Sequence, residues 1–265
     1  MRAAVVAEWR KLTSTVLWWV LGLGMAGYLA FIGAVLAFSL AVAPADPSVP
    51  PVAPRDAALA VYGSLSPIGY VFPLVMGTLM VTSEVRHRTL TQTFVVEQRR
   101  SVVLGAKLVV ALGVGLLYGV LGALGLVAAA GPVLGLAGDG AFLTTGDALR
   151  VLVLGIAVTG LWAVLGTAFG AVVPNQVAAV VGILAWTQLV EPIARLGLGA
   201  VDSLAGVASY LPGAAADAVV GSSVLSQVGG AGETLPPWGG ALVLLAYAAA
   251  LVVAGRLTTF ARDVT

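Results

Sequence analysis

The sequence predicts an all-α integral membrane protein. Six transmembrane helices are expected, with an amphipathic helix in the membrane plane at the N-terminus. A short cytosolic helix follows span two, and short outer helices lie between spans five and six. Three observations predict this. First, 60% of the 265 residues are hydrophobic and 9% are charged, against roughly 45–50% and about 25% in ordinary domains. So little polar surface cannot cover a water-facing globule. Second, the apolar residues gather into six runs of membrane-crossing length. Third, Lys and Arg collect on one side of those runs. A soluble enzyme, a disordered chain and a nucleic-acid-binding domain are excluded. The formal net charge of +1 supplies no field for polyanions, and the absence of Cys removes disulfides and thiolate metal sites.

Residues 1–14 come first. Val5, Trp9 and Leu12 recur at helical spacing, with Arg2, Glu8 and Lys11 elsewhere on the wheel. That pattern predicts a helix along the inner membrane surface; the alternative is a cytosolic extension of span one. A crossing needs about 20 mostly apolar residues. Residues 17–42 carry no charge and are long enough to span with tilt. Residues 59–82 form span two, kinked by Pro67 and Pro73. Residues 102–130 form span three, with Lys107 near its start, and 149–173 form span four. Span five, 177–190, is short and stops at Glu191-Pro192; span six is 238–255. The loop from Pro44 to Asp56 holds Pro44, Pro47, Pro50, Pro51 and Pro54 and is expected to be extended. Segment 191–237 is too apolar for a free loop, with Leu196, Leu198, Val201, Leu204, Val207, Tyr210, Leu211, Val219, Val220, Val224 and Leu225 needing cover. Short helices broken at Pro212-Gly213, packed on the outer leaflet, are expected there.

Orientation follows from the basic residues. Arg2, Arg10, Lys11, Arg86, Arg88, Arg99, Arg100, Lys107, Arg256 and Arg262 fall on one side, ten of the 13. Arg55, Arg150 and Arg195 fall on the other. Six spans with both termini on the basic side are self-consistent, so both termini are expected in the cytoplasm.

Several chemistries are absent from the sequence. A phosphate-cradling loop needs Gly-Lys, but Lys11 follows Arg10 and Lys107 follows Ala106. One histidine, His87, in a basic loop cannot make a two-His zinc site. No catalytic residue and no metal ligand set is expected. Gly22-x-Gly24-x-x-Gly27 matches the dinucleotide fingerprint, but lies inside an apolar span rather than on a strand-turn-helix, so it reads as helix packing. Gly115-x-x-x-Gly119, continuing to Gly122, and Gly166-x-x-x-Gly170 suit close helix contact.

Residues 82–107, TSEVRHRTLTQTFVVEQRRSVVLGAK, are the most informative. A basic, helix-compatible segment (84–98) follows span two. Val85, Leu90, Phe94 and Val95 offer it an apolar face, ringed by Glu84, Arg86, Arg88, Gln92 and Glu97. Orientation and lipid headgroups explain the arginines. They do not explain the Thr89, Thr91, Gln92, Thr93 cluster, which fits a small helix docking on another protein. Glu84 has three available roles: pairing with Arg86 or Arg88, reaching a basic group on a partner, or favouring the positive end of the following helix.

This stretch resembles the cytosolic loop of type-2 ATP-binding cassette (ABC) transporter permeases. In that family span two runs into Ser/Thr-Glu-x-Arg-x-Gly-Thr, then a Thr-rich helix, Pro-x-Arg, and a Lys entering span three. Ser83, Glu84, Arg86, Thr89, Thr93, Arg99 or Arg100, and Lys107 match. Arg88 stands where Gly is usual, and Glu97-Gln98 replaces the usual Pro. The opening Ala7-Glu8-Trp9-Arg10-Lys11-Leu12 and the outer Tyr210-Leu211-Pro212 are also similar to the family, and the layout of the whole chain follows it.

The resemblance implies the membrane subunit of an exporter in a bacterial cytoplasmic membrane, not itself an enzyme. Two copies of a separate ATPase, which bind the ATP and Mg, dock on the coupling helix of residues 84–98. A second permease chain completes the pathway. Glu84, Arg86, Arg88, Thr89, Thr93 and Phe94 are then the expected ATPase contacts. Polar groups in apolar spans, Thr78, Thr82, Thr187 and Gln188, are the pathway candidates. Few charges favour a hydrophobic or amphipathic substrate, with membrane lipid around the chain and no nucleic acid. Two other readings fit six spans: a secondary transporter or channel protomer, and a non-transporting scaffold or assembly factor. The transporter would need a coupling acid or His in the bilayer, where only Glu191 comes near.

Overall fold

The computed structural model describes residues 1–42, 52–136, 140–201, 204–221 and 235–260. Among the described residues the regular structure is entirely helical. Six helical stretches are long and apolar enough to cross a membrane: Leu17–Val42, Pro54–Arg86, Arg100–Leu136, Gly146–Val172, Gln176–Gly199 and Pro237–Leu257. The spans alternate in direction, so their ends form two layers. One end, the basic end, carries α1 (Arg2–Thr13) and Phe260, where Arg100 Nη1 donates to the Phe260 carbonyl at 2.9 Å. At the far end Arg55 pairs with Asp147, and the Tyr62 hydroxyl donates to the Ala141 carbonyl at 2.7 Å. The proline-rich stretch to Pro51, Val224, Leu225 and Arg262 lie outside the described residues.

Span one is α2 (Leu17–Ala37), ending in a π-helical turn, Phe38–Val42. Span two begins earlier than expected, at Pro54, and is three helices: α3 (Pro54–Gly63), α4 (Leu65–Gly69) and α5 (Val71–Arg86). Its breaks follow from its prolines. A proline has no N–H for the carbonyl four residues back and its ring crowds that carbonyl. Four residues before Pro67 is Gly63, and four before Pro73 is Gly69, the last residues of α3 and α4. Pro54–Asp56, expected in an extended loop, form the first turn of α3. The span is also the most enclosed, with 72% of its apolar window buried against 22% for spans one, five and six.

After α6 (Leu90–Val96), span three is α7 (Arg100–Leu136), a single helix that runs through Pro132. At 1.5 Å per residue it is about 55 Å long, so it overshoots the hydrocarbon. Span four is α8 (Gly146–Val172), whose N-cap Thr145 accepts from the Ala148 N–H at 3.4 Å. Asn175 caps α9 (Gln176–Ala185) through Oδ1, 3.0 Å from the Ala178 nitrogen.

Span five does not stop at Glu191-Pro192. It passes through a π-helical turn, Trp186–Val190, into α10 (Glu191–Gly199). Pro192 sits in the first turn of α10, where the missing N–H is tolerated, and Arg195, one turn on, neutralises Glu191. Next come α11 (Ala205–Ala208) and α12 (Pro212–Val220). Pro212 starts α12 rather than breaking a helix. Span six is α13 (Pro237–Leu257). Within α10–α12 Val219 and Val220 are buried, while Leu196, Val207 and Tyr210 are exposed.

Both small-residue motifs are packing faces. A Cβ on Gly166 would collide with the Leu74 backbone, its carbonyl carbon 2.9 Å away, and one on Gly170 would sit 2.7 Å from the Thr78 oxygen. These contacts join α8 to α5. A Cβ on Gly115 would lie 2.7 Å from the Thr159 carbonyl, and one on Gly119 would lie 2.9 Å from Ile156 Cα, joining α7 to α8. Within the fingerprint-like motif all three glycines lie on α2; a Cβ on Gly22 would meet the Tyr118 ring at 3.1 Å, and one on Gly27 would meet nothing within 4 Å. Gly166→Val is therefore expected to lower stability by about 1–3 kcal/mol, because a backbone carbonyl cannot rotate away. Gly27→Ala, with open space, is expected to be neutral or slightly stabilising. Thermal unfolding of both variants in one detergent checks the contrast.

Candidate functional site

The basic end is organised by a buried charge. Lys107 lies seven residues into α7, about 10 Å from its start, and its side chain is 0% exposed. An ammonium without water requires partners. The structure supplies two carboxylates and a carbonyl. Lys107 Nζ is 2.7 Å from Glu8 Oε2, 2.8 Å from Glu84 Oε1, and donates to the Met80 carbonyl at 3.2 Å. Lys11 grips the same carboxylates from the outside, 2.7 Å from Glu8 Oε1 and 3.0 Å from Glu84 Oε1. It also donates to Thr93 Oγ1 on α6 at 2.9 Å. Two cations and two anions thus join α1, α5, α6 and α7. Burial pulls the Lys11 pKa down, but Glu8 and Glu84 outweigh that, leaving it above the ordinary 10.5.

The expected partners of Glu84, Arg86 and Arg88, are not the ones it takes. Its carboxylate turns inward to the two lysines, and it does not cap α6, whose N-cap is Thr89. Arg86 instead donates to Gln176 Oε1 at 3.3 Å across a cleft of about 410 Å³ between the end of α5 and the α8–α9 connection. On α1 an acid turns inward. Glu8 is 4% exposed and Leu12 is buried, whereas Trp9 is 41% exposed. Lys107 draws Glu8 to the inner face, and α1 rotates accordingly.

The remaining predicted contacts divide into two sets. Thr93 and Phe94 are engaged within the chain. The Phe94 ring packs edge-on against Phe260 at 5.7 Å, with the Arg100 guanidinium 5.2 Å from its centroid. Leu90 anchors α6 at 1% exposure, but Val95, placed by the sequence on the same apolar face, points outward at 76%. Arg86, Arg88, Thr89, Thr91 and Gln92 are also exposed. Arg88 adopts φ 56°, in the left-handed region that favours glycine. Arg88 thus holds the turn between α5 and α6 with backbone strain that a glycine would not carry.

Among the pathway candidates, the three hydroxyls are each satisfied within their own helix. Thr78 and Thr82 are fully buried, and each donates to the carbonyl one turn back on its own helix, at 2.9 Å. Thr187 does the same to Ile183 at 2.9 Å, and Gln188 is exposed on the outside of span five. None of these hydroxyls is left seeking a ligand.

A second charge cluster, missed by the sequence reading, closes the far end. Glu191 is 3% exposed and takes Arg195 Nη2 at 2.8 Å, Arg195 Nε at 3.1 Å and the Gly213 N–H at 2.5 Å. Arg195 Nη1 reaches Asp217 on α12 at 2.9 Å. Burial pushes the Asp217 carboxyl up, against the pull of Arg195. The i, i+4 spacing of Glu191 and Arg195 was the available signal. For the basic end, the signal was Lys107 itself, a charge within an apolar run.

Lys107 and Lys11 touch the same carboxylates, yet their removal is expected to differ. Lys107→Met strands two anions in a dry site, at about 3–5 kcal/mol; Lys11→Ala, with the side chain 41% exposed, costs about 0–1 kcal/mol. Adding Glu8→Gln to Lys107→Met restores charge balance and recovers part of the loss. Chemical unfolding of wild type and the three variants checks this. Since the Lys11 pKa is raised on folding, its contribution is complete below its unfolded value and is lost only as pH climbs through the higher folded value. A stability profile that falls near neutral pH in wild type but not in Lys11→Ala would contradict that assignment.

The chain matches no protein-family model and no curated protein, so its function is read from this geometry and from the resemblance of residues 82–107.

Proposed function

We propose that the chain is the membrane-spanning subunit of an ABC exporter, with both termini in the cytoplasm of a bacterial cell. It does no chemistry itself. Two copies of a separate ATPase carry ATP and Mg, a second permease chain completes the pathway, and a hydrophobic or amphipathic substrate crosses by alternating access. The observation that carries this reading is α6. It is a seven-residue helix between spans two and three at the basic end, pinned by Leu90 and Phe94 while Thr91, Gln92 and Val95 face outward. A single exposed valine is ordinary on a surface; what supports docking is a short helix held at the basic end by its inner side chains while Thr91, Gln92 and Val95 present one face outward.

The arrangement behind α6 suits transmission. Thr93 accepts from Lys11, and Lys11 holds Glu84 at the end of span two. A displacement of α6 therefore loads α1, α5 and α7 together. ATP-driven closure can shift the permease only by binding one of its two conformations better than the other. Arg86, Arg88 and Thr89 remain on the contact surface, joined by Thr91, Gln92 and Val95. Glu84, Thr93 and Phe94 move to the transmitting layer. The ion-coupled transporter finds less support: Glu191 is held in an ion pair with Arg195, and its Oε1 takes the Gly213 N–H as well.

Affinity purification of the tagged chain from its own membranes tests the reading. A stoichiometric soluble ATPase is expected to accompany it, and the chain alone is expected to turn over no ATP. Val95→Arg is expected to weaken ATPase retention at least about tenfold while the chain stays monodisperse. A wild-type chain that purifies with no ATPase would remove the exporter reading.

A further inference from the structure

An apolar groove of about 270 Å³ opens between α1 and α7. Val5, Val6, Trp9 and Arg10 form one wall, and Val109, Val110 and Gly113 form the other. We propose that this groove holds one acyl chain of an anionic phospholipid, with the headgroup phosphate on Arg10. Three independent features of the site point there. The first is shape. Gly113 is exposed, and a Cβ built on it would meet nothing within 4 Å. The glycine leaves a slot in the α7 surface where any larger side chain would fill the floor.

The second is charge. Glu8 is the acid of α1, and it is turned inward between Lys11 and Lys107. The outward side of α1 therefore presents Arg2 and Arg10 with no carboxylate of its own helix beside them. The Arg10 stem lines the groove, and a guanidinium at the end of such a stem extends toward headgroups. It is the one charged side chain in an otherwise apolar wall. A phosphate accepts two parallel N–H donations from a guanidinium, which makes this pairing stronger than that of a point charge. The third is depth. Trp9, 41% exposed, lies on the groove wall, and an indole prefers the boundary between acyl chains and headgroups. The groove is thus an apolar slot with an indole and a guanidinium on one wall, which suits an acyl chain ending in a phosphate.

This site depends only on six helices crossing a bilayer, so it stands apart from the exporter reading. The test uses the full chain in nanodiscs containing phosphatidylglycerol or phosphatidylcholine brominated on the acyl chain. Bromine quenches a tryptophan in contact with it. The signal of Trp9 is obtained as wild type minus Trp9→Phe. Brominated phosphatidylglycerol is expected to quench Trp9 at about fivefold lower mole fraction than brominated phosphatidylcholine, the preference that one basic side chain adds for an anionic lipid. Arg10→Gln is expected to erase that preference while leaving chain contact. Gly113→Leu, on an exposed face where folding is not at stake, is expected to lower quenching by both lipids. Equal quenching by both lipids in wild type, untouched by Gly113→Leu, would show ordinary boundary lipid and overturn the site. An absence of quenching by either lipid, in a chain that native mass measurement finds dimeric, would assign the groove to a second copy and overturn it as well.

Discussion

A fully dry ammonium on a membrane helix leaves little freedom to what surrounds it. Lys107 stands on the third span at a depth where solvent does not reach, and its stability depends on carboxylates arriving from elsewhere in the chain. One comes from a surface helix nearly a hundred residues earlier, the other from the end of the second span. Satisfying that single charge therefore sets the rotation of α1, brings α5 and α7 together, and leaves Lys11 on the rim with a free donor for α6. The tilt of the N-terminal helix, the seat of the short basic-end helix and the apolar groove beside them are consequences of the same pairing. Glu84 Oε2 is buried with no partner among the described residues, so the cluster holds one lone pair set in reserve, at some cost in stability.

The fold was legible in the sequence because hydrocarbon imposes so few solutions. Backbone polar groups must be satisfied inside each span, and long apolar runs with few charges announce the helices. The apolar runs do not show where a charge beside proline is made tolerable by a partner outside the run. The prolines up to Pro54 place the start of span two at Leu59 in the sequence. Arg55 is instead tied to Asp147, and the helix extends to Pro54. Span five was ended at Glu191 because a carboxylate next to proline looks terminal; Arg195 makes it tolerable. Arg55 finds its partner 92 residues away, beyond the reach of periodicity, whereas the partner of Glu191 lies one turn on, at i, i+4 spacing.

The candidate site was half legible. The position of the 84–98 segment, its Thr-rich helix and the importance of Glu84 followed from residues alone. Which face of α6 turns outward did not, because seven residues make under two turns and their apolar stripe is ambiguous. Val95 and Phe94 are adjacent, and only the Phe260 ring decides that Phe94 is the one held. Likewise Thr78 and Thr82 looked like pathway groups because polar atoms in a span are costly. Their hydroxyls return to their own helix, which is the less informative way to meet that cost.

At the far end, the clasp of Glu191 with the Gly213 amide and Arg195 has a topological meaning. It pins the start of α10 to the start of α12, so the chain between them becomes a closed ring anchored at its neck. The entropy needed to close such a ring grows only with the logarithm of its length, about 0.6 kcal/mol for each doubling. The ring can therefore lengthen at little cost while its neck stays fixed. An affinity tag or reporter domain grafted into that excursion would leave the bundle unaware of its presence, which makes the ring at the far end a natural handle on the protein.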